Sequence, residues 1–291
     1  MIKKLTQFIA ENNLNVYDIA VMTEKGIENA FCQPCNPCND SYSVTKLFIV
    51  TMIGILIERG ELSLEDSLTD LLEQEIDFAY DERWKKVTVR HALTHKMGID
   101  YGILDVDRDD TTALETDNYL KIMLDYPPVL EPGTEWVYSD VAHYLLSRVI
   151  TVITGVSAEE AINREILRPL KFQPTAWQKC PYGYCLGATG AFMRSSDMVK
   201  LGWLYQNYGE YQGKQIISRE WVERAEAECY DLYEEGQTGF IGKGGMCGQM
   251  LLYHRKAGFS VAWHSFEAEG CNITGRLIAY LDELIQSGEI S

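Results

Sequence analysis

The run LFIVTMIGILI at residues 47–57 constrains the fold of this chain more than any other stretch. A helix apolar on every side is stable only when other elements enclose it. The run is far shorter than the ~20 residues a helix needs to cross a bilayer, so the enclosure has to be protein. Its entrance is unusual. The preceding residues read NDSYSVTK (39–46), which carry a lysine into the mouth of a helix otherwise fit for burial, three residues after a serine.

The 291 residues leave room for that enclosure, as one large domain or two joined ones, and 46% hydrophobic content is ordinary for a globular chain. An opening helix with the apolar stripe Ile2, Leu5, Phe8 and Ile9 precedes VYDIAVMT and GIENAFC (16–32), two strands joined by the turn EKG. The apolar helix runs from near Ser43 to Gly60, a residue suited to a left-handed C-terminal cap. From SLEDSLTDLLEQ to about residue 180 the pattern is mostly helical, with loops at HKMGIDYG and YPPVLEPGTEW. SSDMVKLGWLYQNYG and SREWVERAEAE predict two further helices opened by capping residues. GQMLLYH and FSVAWHSF predict strands around the turn RKAG, and NITGRLIAYLDELIQSG a last amphipathic helix. This order predicts an α/β (α+β) fold in which both chain ends build one sheet. Residues 1–50 and 185–291 are expected to form the sheet domain and 51–184 an inserted helical domain, with the active site between them.

A formal net charge of −17 argues against nucleic acid as a partner, because phosphate binding needs a basic footprint. MIKKLTQFIAENN has the lysines of a signal peptide, but Thr6 and Gln7 interrupt its apolar stretch, so a cytoplasmic location is expected, with no membrane partner. Eight cysteines are present, three of them in CQPCNPC: Cys32, Cys35 and Cys38. That spacing is used by thiolate metal sites, but a fourth ligand is missing nearby, and a reduced tight loop is the reading adopted. Disulfides are not expected in a chain without an export signal.

Ser43 and Lys46, at i and i+3, share one helix face. Ser43 stands where unpaired backbone N–H groups and the helix dipole favour a developing oxyanion. Desolvation lowers a lysine's pKa, and a neutral lysine beside a serine can take its proton and make it a nucleophile. Alone, S-x-x-K is a weak signal. Two further stretches add to it: YSD at Tyr138–Asp140, before the helical DVAHYLLSRVI, and KGG at Lys243–Gly245, where the strand region begins.

With SVTK, YSD and KGG in this order, the chain resembles the serine β-lactamases and penicillin-recognising enzymes, in particular the class C-like branch, which includes esterases and D-amino-acid peptidases. VTVRHALTHKMGI and GAFMRSSDMVKLGWLYQNYGEYQGKQIIS extend the resemblance over nearly the whole chain. It implies a five-stranded antiparallel sheet flanked by helices, and hydrolysis of an amide or ester through an acyl-enzyme on Ser43. Lys46 would activate the serine. Tyr138 would share proton transfer and serve deacylation. Lys243, followed by Gly244 and Gly245, would hold Tyr138 polarised and meet a substrate carboxylate. The backbone N–H groups of Ser43 and Met246 would form the oxyanion hole. The implied partner is a small-molecule substrate (a β-lactam, a small ester or a D-amino-acid peptide), and no metal or organic cofactor is implied.

One position departs from the pattern: Asp140 stands where the family's second motif ends in Asn. An ionised carboxylate donates no hydrogen bond, repels a β-lactam's carboxylate, and would pair with Lys46 or Lys243 and raise their pKa values. This keeps a second reading open, a binding or sensor module on the same scaffold that acylates once or not at all. His91 and His95 mimic half a zinc motif but lack its Glu, and are read as structural. No G-x-S-x-G elbow occurs, and GKGGMCG lacks the ending of a phosphate loop. Oligomeric state is left open.

Overall fold

Both ends of the chain meet in one sheet. The computed structural model describes residues 1–268 and 270–290. Helix α1 (Ile2–Glu11) leads into β1 (Val16–Thr23) and β2 (Gly26–Phe31), and α2 (Lys46–Glu58) follows. The middle of the chain contributes α3 (Asp140–Thr154) and α4 (Ser195–Gln206). The remainder supplies β3 (Tyr233–Glu234), β4 (Ile241–Gly244), β5 (Met250–His254), β6 (Phe259–Ser265) and α5 (Ile273–Gln286). The strand order is β2-β1-β6-β5-β4-β3, antiparallel throughout. Five strands match the implied sheet, and the two-residue β3 adds a sixth at the β4 edge.

Strand alternation divides the core in two. Ile19, Val21, Leu252, Val261 and Trp263 face α1 and α5, where they pack with Leu5, Ile9, Leu277 and Leu281. On the other face, Ala20, Ala262 and Leu251 lie in one cross-strand row, packed against α4 and α2. Gly202 of α4 sits so low over this row that a Cβ there would come within 2.8 Å of Leu251. The row continues from Leu251 to Lys243, and so carries a lysine onto the helix-covered face.

Every residue of α2 from Lys46 to Leu56 is buried, as its composition demands. Its C-terminus closes at Gly60, with φ of 71°, where the Glu61 N–H reaches back to the Leu56 carbonyl. The boundary expected at residue 50 falls inside this helix, and one apolar cluster runs from the sheet through α2 to α3.

Two expectations change. Ser43 lies not in an α-helix but in a 3-10 turn, Tyr42–Thr45, that feeds into α2. The segment 62–180 is less helical than its pattern predicts. Apart from α3 it holds short pieces such as Leu68–Leu71, Val89–Leu93 and Tyr119–Leu124, joined by loops. Turn-forming runs such as DVDRDDTTALETDN break the helical period before a long helix can nucleate.

Candidate active site

The 3-10 turn decides how the first motif is presented. With three residues per turn, side chains at i and i+3 eclipse rather than fan out. Ser43 and Lys46 accordingly stand directly over one another, Nζ to Oγ 3.0 Å. Tyr42 enters the turn with φ of 44°, held by its N–H on the Asp40 carboxylate at 2.8 Å. A left-handed φ at a bulky residue beside a reactive side chain is where backbone strain accumulates at functional sites.

Lys46 is fully buried and donates to three acceptors: Ser43 Oγ, Asp140 Oδ1 at 2.7 Å and the Ala188 carbonyl at 2.9 Å. An ammonium has three hydrogens, and all three are placed. Burial works against this charge. The Asp140 carboxylate, with Tyr138 and Asp231 further off, outweighs it and holds the lysine above its ordinary pKa. Of the two effects read from the sequence, desolvation toward a neutral lysine and pairing with Asp140, the pairing prevails.

Tyr138 arrives from the loop before α3 and donates its hydroxyl to Ser43 Oγ at 2.7 Å. Lys46 Nζ lies 4.8 Å and Lys243 Nζ 4.7 Å from the centre of its ring. Lys243 does not share Asp140. Its partner is Asp231, with Nζ to Oδ1 2.6 Å, in the loop before β3. Beyond Lys243, β4 ends at Gly244, and Gly245 presses on the serine segment: a Cβ there would lie 2.7 Å from the Ser41 carbonyl. Met246 then opens a 3-10 turn, so its backbone follows a glycine that touches Ser41 and Tyr42.

A second layer lies behind Tyr138. His95 stacks on its ring with centroids 4.8 Å apart, and sends Nε2 to Asp231 Oδ2 at 3.1 Å. His143 Nε2 lies 3.0 Å from the same oxygen. Burial would push the Asp231 carboxyl up, but Lys243 and the two histidines hold it well below the usual carboxylate range. Burial also keeps His143 neutral, its pKa pulled down to about 4. His95, His143 and Asp231 converge closely enough to resemble a metal-ligand set. The Ser139 N–H, however, donates to His95 Nδ1 at 3.3 Å, so Nε2 carries the proton and has no lone pair for a cation.

Asp105 and Asp107 converge on Asp140 from the other side. Burial, then the nearby Asp140 and Asp40, push the Asp107 carboxyl up to about 6, although Thr189 donates to it at 3.0 Å. Beneath the serine segment, Ser41 Oγ, His264 Nε2 and Asp18 repeat the atom order of a hydrolytic triad, at 3.4 and 3.0 Å. Ser41 and His264 are 0% exposed, so no substrate reaches them; the chain ties β1 and β6 to the loop before Ser43.

Ser43, Lys46, Tyr138, Asp140 and Lys243 are thus brought together, with the Gly244–Met246 segment beside them. Sequence reasoning missed Asp231, His143 and the part His95 plays. His143 follows Asp140 by one helical turn, a spacing that marks a shared face. Nothing in CYDLYEEG marks Asp231. The thiols of Cys32, Cys35 and Cys38 are free, and burial with Asp18 pushes Cys32 up to about 11.

The family model described as Beta-lactamase matches residues 40–267. Esterase EstB of Burkholderia gladioli is 29% identical over 139 residues, 44% of this chain and 35% of its own length. Penicillin-binding protein 4 of Amycolatopsis lactamdurans is 32% identical over 133 residues, 45% and 33% of the two chains. These matches span about a third of the curated relatives' length. Among solved structures, a putative 6-aminohexanoate-dimer hydrolase from Bacillus anthracis superposes with a TM-score of 0.76 at 18% identity, covering 97% of this chain and 82% of its own.

Proposed function

The chain belongs to the beta-lactamase family, and from that premise we propose that it is a serine hydrolase that cleaves small ester or amide bonds through an acyl-enzyme on Ser43. The observation that carries this reading is the position of Ser43 Oγ, 3.0 Å from Lys46 Nζ and 2.7 Å from the Tyr138 hydroxyl oxygen. Ser43 Oγ attacks the substrate carbonyl as its proton passes to the Tyr138 oxygen, and the Tyr138 hydroxyl passes its own proton on to the leaving group. The lysines beside that ring stabilise the negative charge as it moves. Lys46, already an ammonium, acts as a fixed cation rather than as the base. The tetrahedral oxyanion is received by the Ser43 and Met246 backbone N–H groups, which are preorganised donors. The leaving group, protonated through Tyr138, departs as the carbonyl re-forms. Water then attacks the ester on Ser43, its proton passing through Tyr138 to Ser43 Oγ as the acid product leaves.

Asp140 argues for the substrate class. It supplies no amide donor and offsets the charge of Lys46, which disfavours a carboxylate-bearing β-lactam relative to a neutral ester or an amine-bearing amide. The same ion pair favours a second reading, in which a locked Lys46 leaves the acyl group stranded after one turnover. Exposure to p-nitrophenyl acetate, a cephalosporin and a D-amino-acid peptide, followed by intact-protein mass, separates the two. Turnover of the ester with little adduct supports hydrolysis. A lasting adduct on Ser43 supports the single-turnover module, and neither signal with any substrate overturns both.

A further inference from the structure

We infer that Asp231 sets the charge selectivity of this site: it takes up the positive charge of Lys243, fixes the amine beside Tyr138, and so turns the site away from substrates carrying a carboxylate. The inference rests on the proposed serine hydrolase reading and adds a positioning residue to it.

The third motif supplies a cation, and a cation at the end of a strand beside a nucleophile would ordinarily attract an anionic substrate group. Lys243 cannot do so unhindered. Its Nζ lies 2.6 Å from Asp231 Oδ1, it is only 5% exposed, and it stands between the rings of Tyr138 at 4.7 Å and Tyr233 at 5.2 Å. A substrate carboxylate approaching Lys243 meets a pair, not a lone ammonium, and the attraction is largely cancelled.

Three side chains converge on Asp231. It is 0% exposed, and a buried carboxylate is tolerated when it is paired and hydrogen-bonded. Lys243 takes one oxygen, and the Nε2 atoms of His95 and His143 converge on the other at 3.1 and 3.0 Å. The Ser139 N–H fixes the tautomer of His95, so this imidazole is a donor toward Asp231. The backbone contributes as well. Asp231 has φ of 53°, a left-handed conformation that Asp tolerates better than most residues, and its N–H bonds the Cys229 carbonyl at 2.8 Å. Because His95 also stacks on Tyr138, the residue that orients Asp231 and the ring that faces Ser43 move together.

This is separate from the effect of Asp140, which is spent on Lys46. The two carboxylates together leave the site with two ammonium groups and no uncompensated positive charge between them.

The test compares two acetate esters with different leaving groups, neutral methyl 4-acetoxybenzoate and anionic 4-acetoxybenzoate, in wild type and in Asp231→Asn. In the variant the anionic-to-neutral ratio of kcat/KM should rise at least about fivefold, and the gain should shrink as salt is raised toward 1 M. A residue with a merely structural role would lower both rates and leave the ratio alone. A folded variant whose ratio stays within about twofold of wild type overturns the inference. A wild-type measurement covers the case in which the variant fails to fold. With Lys243 compensated, the wild-type ratio should not fall between low and high salt, whereas a ratio that falls about fivefold with salt reveals a lone cation and overturns it. Wild type that hydrolyses neither ester instead overturns the serine hydrolase reading, and the inference with it.

Discussion

Lys46 and Lys243 reach the same tyrosine ring at nearly the same distance, 4.8 and 4.7 Å, and each is backed by a buried carboxylate. They are held differently. Lys46 is fixed from helices and a neighbouring carbonyl: the turn carrying Ser43, the first residue of α3, and Ala188. Lys243 is fixed from the end of β4 and a loop, and two imidazoles converge on its carboxylate. A cation whose three hydrogens are all bonded has little freedom to change partners. A cation held through a chain of side groups depends on every member of that chain. The first half of the site is therefore expected to tolerate changes of condition, and the second to register them.

The comparison presumes that both lysines serve one nucleophile, and Ser43→Ala tests that presumption with the largest expected effect. Removing the nucleophile of such a unit costs several orders of magnitude, at least about a thousandfold in kcat. The measurement is ester hydrolysis by wild type and variant purified in parallel. Equal rates would separate the lysines from any shared chemistry.

Acid should strain the Lys243 half first. His143 is fully buried, and its pKa is pulled down to about 4 from an ordinary 6.5. Between those values the unfolded chain binds the proton and the folded one does not, so stability falls as pH falls through that window. The full difference is roughly 3 kcal/mol, most of it reached near pH 4. Urea unfolding at pH 7, 5.5 and 4.5 should show wild type losing more stability than His143→Gln, which has no proton to gain. Parallel losses in the two proteins would remove His143 from the account.

How much of each half is visible in the sequence follows from the same physics. Ser43 and Lys46 stand one turn apart, and Tyr138 and Asp140 sit together in one short stretch, so spacing and a resemblance carried across most of the chain were enough to find them. The sheet shared by both chain ends was likewise legible from the order of strands and helices, and the resemblance implied its flanking helices. Asp231 left no such trace. It is one acid in an acidic chain, and only the tertiary approach of its loop to β4, to α3 and to the segment carrying His95 gives it a lysine and two histidines. The charge state of Lys46 was half legible: the apolar helix signals burial and Asp140 in place of Asn signals a carboxylate, but only the tertiary contact decides that Lys46, and not Lys243, receives it.

Asp140→Asn sharpens the comparison from the Lys46 side. The variant restores an amide donor near the substrate and removes a negative charge from beside Lys46. A positioned hydrogen bond is worth on the order of 1–3 kcal/mol, or roughly ten- to a hundredfold in rate. The ratio of β-lactam to neutral-ester kcat/KM should rise by that order. If wild type already hydrolyses cephalosporins efficiently and the ratio does not move, Asp140 has no voice in substrate choice.

The smallest effect concerns Asp107, which lies beside Asp140 and reverses the acid response expected across the ring. Burial, with Asp140 and Asp40 behind it, pushes its carboxyl up to about 6 from 3.8. A folded pKa above the unfolded one means that the native state binds the proton more tightly. The ionised group then weakens the fold above about pH 6, and this penalty fades as pH falls toward 4. Asp107 is partly exposed, so solvent screening cuts the effect to about 1 kcal/mol or less. Asn at this position keeps an oxygen to accept from Thr189 and loses only the charge. Asp107→Asn should therefore melt slightly above wild type at pH 7, by ~1–3 °C, and lose that advantage by about pH 4.5. Over the same interval His143 works in the opposite direction, and being fully buried it outweighs Asp107. A variant that is no more stable than wild type at pH 7, or whose advantage persists unchanged into acid, would mean that Asp107 is already neutralised by a partner other than a proton.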